Sequence, residues 1–383
     1  MSPSPSQPVL SLIVPTRERA RTLAFTLATA LDQRSNDYEV IVSDNASADG
    51  TRAVVEQLAT SRLRYVNTGQ RLSMCGNYEF ALEHARGDYV VFIGDDDAVV
   101  PGALDRLLAM LRSAPVKIAH MWPLHTYDWP VDQRKGRVAY LAPTNSPFEL
   151  DLKAKALDVI RKGGWKYYEL PSPYHAAIPR HLLDTIRERT GRVFHSTQPD
   201  VFTAMAIPAL TDRAVNIGFS VTFNGRSSSS NGLGFVNKGA QTNIDRFLRE
   251  YGDYQLHPTL FTGVATSANM IPDAILLARD LFPELYRNSD FNYEAMWAFS
   301  CRHRFVSPLK VLAKAGEIRK RHTFRRHRFL YYVMIHEAAV LRRKLLDRMM
   351  PTREFESAAE DNIRDFAIAI AARSTGAGRA PGP

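Results

Sequence analysis

Asp95, Asp96 and Asp97 stand together at the end of an apolar run, within the stretch GDYVVFIGDDDAVVPGAL from Gly87 to Leu104. Three adjacent carboxylates repel one another unless a cation lies among them. Hard oxygen ligands of this kind select Mg²⁺ or Mn²⁺, ions that typically share a few carboxylates with substrate phosphates. A solvated acidic turn is the alternative for an isolated Asp-Asp-Asp. Two further polar clusters lie upstream, Pro15-Thr16-Arg17 and Asp44-Asn45, and each closes an apolar run of its own.

Those runs are the elements that must position the chemistry. Val9–Val14 (VLSLIV), Tyr38–Ser43 (YEVIVS) and Tyr89–Ile93 read as buried strands. Helical patterns separate them, over 18–31 with Leu23, Leu27, Ala30 and Leu31 on one side, over 51–60 and over 74–86. A short strand is expected at 63–66, and Pro101 opens a further helical pattern. Strands alternating with helices imply a parallel sheet with right-handed crossovers. Ligands bind beyond the carboxyl ends of such strands. All three polar clusters fall at carboxyl ends, so one edge of the sheet should gather them.

Length and composition limit the alternatives. The 383 residues suffice for one large or two ordinary domains, and 45% hydrophobic with 23% charged residues is the balance of a soluble globular protein. Cys75 and Cys301 cannot build a disulfide framework and their spacing suits no metal cluster, which points to a reducing cytoplasm. The leader MSPSPSQP has neither the basic start nor the apolar segment of a signal peptide, and reads as disordered. No apolar run approaches the roughly 18 residues of a membrane span. There is no GxxxxGK[ST] and no GxGxxG after the first strand, so a phosphate ligand has no glycine cradle. P-loop enzymes and dinucleotide oxidoreductases are thereby disfavoured.

Four motifs in order, IVPTRER, VSDNASADGT, NTGQRLSMCGN and FIGDDDAVVP, resemble the nucleotide-binding half of the family-2 glycosyltransferases of the GT-A type. The resemblance is dense from Leu10 to Leu104. It implies that Pro15, Thr16, Arg17 and Asp44 hold the donor nucleotide, with Asn45 adjacent, Asn77 closing the third motif and Arg71 in the same segment. The acidic motif of that family often begins with an aspartate where this chain has Gly94. Aligned on Pro101, Asp96 takes the place of the principal metal ligand, Asp95 falls nearer the ribose, and Asp97 is an alternative ligand. The implied cofactor is Mn²⁺ or Mg²⁺, and the implied donor is a nucleotide-diphosphate sugar, UDP being the commonest base.

An inverting transfer also needs a carboxylate that takes the proton from the attacking hydroxyl. By the same resemblance Asp200, within Thr197-Gln198-Pro199-Asp200, is assigned as that base; an N-cap role is the alternative. Around it the chain reads as a strand near Val116, a helix over Glu149–Arg161, a turn at Pro171–His175, a helix over Arg180–Thr190 stopped by Gly191, and a strand over Ala214–Phe223. Trp122, His125, Tyr127 and Trp129 cluster where aromatic faces can stack on a sugar or simply pack. Trp122 and His175 are candidate acceptor contacts. The polar loop from Gly225 to Gly232 offers Arg226 and Ser228 to a diphosphate, or serves as a plain linker.

Helical patterns dominate afterwards, at 243–251, 268–282, 308–320 and 325–349. The net charge of +9 is concentrated there: residues 301–350 hold fourteen Lys/Arg against three Asp/Glu, leaving −2 for the rest of the chain. Basic and apolar patches on helices suit an anionic membrane surface, or else a solvated basic face; no nucleic-acid module accompanies the charge. The expected architecture is therefore α/β, a GT-A (Rossmann-like), mixed and mainly parallel central sheet flanked by helices, with a C-terminal helical extension. Its parts are a leader over 1–8, a nucleotide-sugar half over 9–115, an acceptor half over 116–225, a loop and basic helical extension over 226–350, and a helix with a disordered tail over 351–383. The expected activity is transfer of a sugar to a saccharide or lipid-linked acceptor hydroxyl, in the cytoplasm or peripherally on the inner membrane face. A sugar-nucleotide nucleotidyltransferase and a non-catalytic scaffold are the alternatives.

Overall fold

In the computed structural model, which describes residues 7–130, 137–139, 146–227, 240–302, 306–349, 355–356 and 362–374, two strands run through the middle of the molecule with both faces covered. These are β1 (Leu10–Thr16) and β2 (Tyr38–Asp44), buried at nearly every position. With β3 (Leu63–Asn67) and β4 (Tyr89–Phe92) they form the parallel block β3-β2-β1-β4, in which Leu10 stands opposite both Tyr38 and Tyr89. The crossovers are α1 (Ala20–Leu31), α2 (Thr51–Gln57) and α3 (Met74–His84). β5 (Ala98–Val99) and α4 (Ala103–Ser113) follow. Pro101 lies in the turn before α4, and Gly102 opens the helix from the left-handed region at φ +72°. Leu104, Leu107, Leu108 and Leu111 then bury one face, at the spacing of an amphipathic helix.

The second half extends the same sheet. β6 (Ala119–Met121), β7 (His125–Asp128), β8 (Arg137–Ala139), β9 (Phe148–Asp151) and α5 (Leu152–Arg161) come first. β10 (Ala176–Pro179), α6 (Arg180–Thr190), α7 (Pro199–Leu210), β11 (Arg213–Asn216) and β12 (Thr222–Arg226) complete it. β10 runs antiparallel to β4 and to β6 and so joins the halves into one eight-stranded mixed sheet, β3-β2-β1-β4-β10-β6-β11-β9. A second sheet, ordered β13-β8-β7-β12-β5, takes in β13 (Phe355–Glu356). Two sequence expectations change here. Glu149 belongs to β9, paired with β11, and Asp151 caps α5 by accepting from the Ala154 amide. The single strand expected over 214–223 is two strands, one in each sheet.

Among the described residues eight helices follow: α8 (Ala240–Arg249), α9 (Ser267–Leu281), α10 (Pro283–Tyr286), α11 (Tyr293–Arg302), α12 (Pro308–Ala313), α13 (Ala315–Ile318), α14 (Arg326–Met349) and α15 (Ile363–Ser374). The helix expected over 308–320 is divided at Lys314, whose ψ of 5° leaves helical geometry. These helices do not stand apart from the sheet as an extension would. Alternate residues of a strand face opposite sides. Ile13, Ile41 and Phe92 share one apolar core with Phe202, Ile275, Trp297 and Phe329. Leu12, Val14, Val40 and Val42 share the other with Leu23, Leu27, Leu107 and Phe366. Residues 1–6 and 375–383, where the leader and tail are expected, lie outside the described residues.

Candidate active site

The acidic triplet occupies the short loop between β4 and β5, and α1 holds its backbone. Thr26 donates its hydroxyl hydrogen bond to the Asp97 carbonyl at 2.7 Å, and the Thr29 hydroxyl accepts from the Val99 amide at 3.0 Å. From the other side the indole of Trp129 donates to the Asp96 carbonyl at 2.8 Å. β12 presses against the loop at Gly225, where a Cβ would stand 1.7 Å from the Asp96 carbonyl oxygen. Only glycine permits that approach. Gly94 is similarly enclosed: a Cβ there would meet Asp96 Oδ1 at 2.9 Å and Asp97 Oδ2 at 3.0 Å. A side chain at the position where related motifs often carry their first aspartate would therefore have to displace the Asp96 and Asp97 carboxylates.

The three carboxylates divide their work by environment. Asp95 accepts from the Thr16 hydroxyl at 2.7 Å and pairs with Arg19 at 2.8 Å. Asp97 is fully buried and its oxygens are taken by the Gly225 amide at 2.7 Å, the Tyr174 hydroxyl at 3.1 Å and the Gly94 amide. Its expected role as an alternative metal ligand does not fit that arrangement, which points the carboxylate into protein. Asp96 faces the cleft and accepts from the Ser227 amide at 3.1 Å. Burial, then the neighbouring charges of Asp97 and Asp95, push its carboxyl up to about 6.

The three strand ends do converge. A cleft of about 820 Å³ is lined by Pro15, Thr16, Arg17 and Arg19 from the end of β1, by Asn45 from the end of β2, and by Gly94, Asp95 and Asp96. Asn77 on α3 lines it too and accepts from the Ser43 hydroxyl at 2.7 Å. The turns beyond β1 and β2 are locked together: Glu18 and Ala46 hold positive φ of 54° and 53°, and Ser47 accepts from the Glu18 amide at 2.9 Å. Non-glycine residues in that region carry strain that surrounding contacts must maintain.

Several expected contacts lie behind the cleft wall. Asp44 is buried, its carboxylate accepting from Tyr65 at 2.6 Å, Asn67 at 3.1 Å and the Ser47 amide at 3.0 Å, and Asn45 represents this turn at the cleft surface. Arg71 is half-exposed and paired with Glu250. Trp122 and His175 are not cleft residues, a correction to their reading as acceptor contacts. The Trp122 indole donates to Thr222 Oγ1 at 2.8 Å, Thr222 Oγ1 lies 2.8 Å from His175 Nδ1, and His175 Nε2 stands 3.1 Å from Asp97. Both residues thus back the acidic loop, which their aromatic character alone could not reveal. Arg226 lines the cleft and pairs with Asp128. Ser228 lies outside the described residues.

Asp200 lines the opposite part of the wall, beside Gln198 and Pro199. It is the second residue of α7, after Pro199 at the first position; Gln198 takes the N-cap position, so the expected N-cap alternative for Asp200 does not hold. Burial raises its carboxyl above the ordinary aspartate value, and hydrogen bonding by the Val201 amide offsets part of that rise. Tyr78, Tyr167 and Tyr174 complete this wall, and Tyr78, stacked on Phe92 at 4.7 Å, lies within electrostatic reach of Asp200, Asp97 and Asp95. Tyr174 is expected from the sequence only as part of the turn at Pro171–His175, and Tyr78, Tyr167, Arg19 and Glu250 are not among the expected site residues. Arg19 lies inside the quoted IVPTRER motif, whereas nothing local marks the others.

Residues 11–161 match the family model for glycosyl transferase family 2. That segment of the chain is similar to the family-2 glycosyltransferases. Among its relatives is a GalNAc(5)-diNAcBac-PP-undecaprenol beta-1,3-glucosyltransferase of Campylobacter jejuni, 38% identical over 104 residues, which are 26% of this chain and 34% of that protein. Another is the UDP-Glc:alpha-D-GlcNAc-diphosphoundecaprenol beta-1,3-glucosyltransferase WfgD of Escherichia coli, 25% identical over 103 residues, or 27% of this chain and 41% of that one. The match spans well under two thirds of either relative. Among solved structures, S. aureus TarS 1-349 in complex with UDP-GlcNAc aligns over 87% of this chain and 91% of that chain, at 14% identity and a TM-score of 0.49. The matched segment carries β1 through α5, and hence the three strand ends at the cleft, while Asp200 and Glu250 lie beyond it.

Proposed function

We propose that this protein is an inverting glycosyltransferase that moves a sugar from a nucleotide-diphosphate sugar to an acceptor hydroxyl in glycoconjugate synthesis. One observation supports the reading above all: the buried Asp96 and the partly buried Asp200, from opposite halves of the chain, line a single cleft with the Pro15–Arg17 turn. In this scheme Thr16, Arg17, Asn45, Asn77 and Asp95 bind the nucleotide, with Asp44 fixing the turn and Arg71 at the rim. Asp200 accepts the proton of the acceptor hydroxyl while its oxygen attacks the anomeric carbon and the bond to the diphosphate breaks. The raised carboxyl of Asp200 makes it a stronger base than a solvated aspartate. Tyr78, Tyr167 and Tyr174 offer ring faces to the sugar and keep water from that end of the cleft.

The residues fit a divalent cation in one particular way. Among the described residues no group of three or more His, Cys, Asp or Glu side chains is arranged to hold a metal alone. Asp96, a buried carboxylate with raised affinity for positive charge, would hold Mn²⁺ or Mg²⁺ together with donor phosphates, as Mg²⁺ sites commonly do. The cation would supply Lewis-acid neutralisation of the departing diphosphate. Both named relatives act on undecaprenol-linked substrates and one on UDP-Glc, which favours a UDP-sugar donor and a lipid-linked acceptor here. Such an acceptor would bring the protein to a membrane surface. The test is a stabilisation screen of UDP-, dTDP- and GDP-sugars with and without Mn²⁺, followed by acceptor-free hydrolysis of the sugar nucleotide. A cation-dependent rise in melting temperature with one donor, lost in Asp96→Asn, is the expected result; no stabilisation and no hydrolysis with any donor would overturn the proposal.

A further inference from the structure

The 24-residue helix α14 has two apolar faces, and among the described residues only one is packed against the body of the protein. Phe329 and His336 are buried, and His336 meets the edge of Trp165 at a ring separation of 5.1 Å, so this side packs on the body of the protein. On the other side Leu330, Tyr331, Met334, Ile335, Leu341 and Leu345 are 38 to 63% exposed. At helical spacing these six fall within one contiguous stripe opposite the buried residues. A helix of a water-soluble domain ordinarily turns polar residues to that side.

The charge on the same helix indicates what covers the stripe. α14 holds six Arg or Lys residues against only Glu337 and Asp347, and Arg326 and Arg342 are exposed beside the apolar residues. A second copy of the helix would bring like charge against like charge. An anionic lipid surface meets both features at once, taking the apolar side chains between headgroups and the guanidinium groups against phosphates. The helix is not suited to crossing: among the described residues no helix is long and apolar enough to span a membrane. We infer that α14 is an interfacial membrane-docking helix that seats the protein on an anionic lipid bilayer through the face bearing Met334 and Leu341. This stands on the helix itself and does not require the transferase reading.

The test is co-sedimentation of the full chain with vesicles of mixed phosphatidylcholine and phosphatidylglycerol, compared with pure phosphatidylcholine, at low and high salt. Wild-type protein should bind the anionic vesicles and release them as salt rises. Met334→Glu/Leu341→Glu should weaken binding by about tenfold or more. Arg326→Gln/Arg342→Gln should weaken it by about fivefold for each residue removed. All these positions are exposed, so melting temperature and sugar-nucleotide hydrolysis should stay at wild-type values. Equal binding to neutral vesicles, no binding at all, or full binding by the glutamate variant would overturn the inference. So would a concentration-dependent dimer that the glutamate variant abolishes, because the face would then belong to a second copy. Vesicle binding as described with no turnover on any donor would retire the transferase proposal and leave this one standing.

Discussion

Both carboxylate oxygens of Glu250 accept hydrogen bonds from one nitrogen of Arg17, at 3.1 and 2.9 Å, although the two residues lie 233 positions apart. Oε1 also accepts from Arg71. Glu250 follows α8 directly and lines the cleft, so a carboxylate from the helical region stands at the very cations assigned to the donor. An incoming diphosphate must compete with it. Glu250→Gln keeps an acceptor oxygen for the arginines and removes the charge. The expected outcome is a donor KM about two- to fivefold lower at unchanged kcat, in keeping with the modest worth of partly solvated ion pairs. Steady-state kinetics in the sugar nucleotide decides this, and a higher KM would mean that Glu250 instead holds Arg17 and Arg71 ready for the donor.

Gly225 is the point where β12 of the second sheet meets the acidic loop. A methyl group added there would stand 1.7 Å from the Asp96 carbonyl oxygen, so Gly225→Ala must push β12 away and break the amide hydrogen bond to Asp97. The substitution should lower stability by about 1–3 kcal/mol, as overpacking of a close contact does. Donor binding should fall with it, because Asp96 moves with its backbone. Thermal melting and donor titration on the same preparation measure both effects, and a variant with unchanged melting temperature and affinity would show that the loop does not depend on this contact.

Much of this site was legible from the chain because it sits where alternating strands and helices must end. Pro15–Arg17, Asn45 and Asp95–Asp96 meet at one edge for that reason alone. What the sequence concealed depends on non-local packing. Trp122 and Trp129 look like sugar platforms by residue type, yet both spend their indole N–H groups inside the fold, Trp129 on the Asp96 carbonyl itself. The cleft takes its aromatic wall from Tyr78, Tyr167 and Tyr174, which come from three separate elements and share no spacing. Glu149 shows the same limit in the backbone: its helical pattern yields to pairing with β11. The extent of the helical region was readable from periodicity, but not that Ile275 and Trp297 would close one core with Ile13.

Asp96 should cost the protein stability while it serves the reaction. Its carboxyl is raised from 3.8 to about 6, so above pH 6 the folded state holds an ionised group that burial and two like charges disfavour. Asp96→Asn removes the charge and retains an oxygen for the Ser227 amide. With divalent cations chelated at neutral pH, the variant should be more stable than wild type by about 1–3 kcal/mol, since a pKa raised by one corresponds to roughly 1.4 kcal/mol. The advantage should shrink as pH falls through 6 and vanish below 4, where wild-type Asp96 is protonated in both the folded and the unfolded state. Denaturant melts across that range provide the check, with turnover expected to be lost throughout; a variant less stable than wild type at neutral pH would show that Asp96 is already neutralised by the fold.

Asp200 carries the pH dependence expected of the reaction. Burial raises its carboxyl, so the group remains protonated, and unable to accept a proton, to a higher pH than a solvated aspartate would. The acid limb of kcat/KM should therefore bend above pH 4, with activity falling as pH drops through the raised value. Asp200→Asn should lower turnover about 10²- to 10⁴-fold while leaving donor KM and melting temperature close to wild type, since the side chain is the second residue of α7 and not its cap. An asparagine variant that folds, binds donor and turns over near the normal rate would remove Asp200 from the chemistry. A variant that loses donor binding as well would mean that this carboxylate shapes the cleft in place of serving as its base, because a base acts on the acceptor proton and leaves the nucleotide contacts of Thr16 and Asn77 untouched.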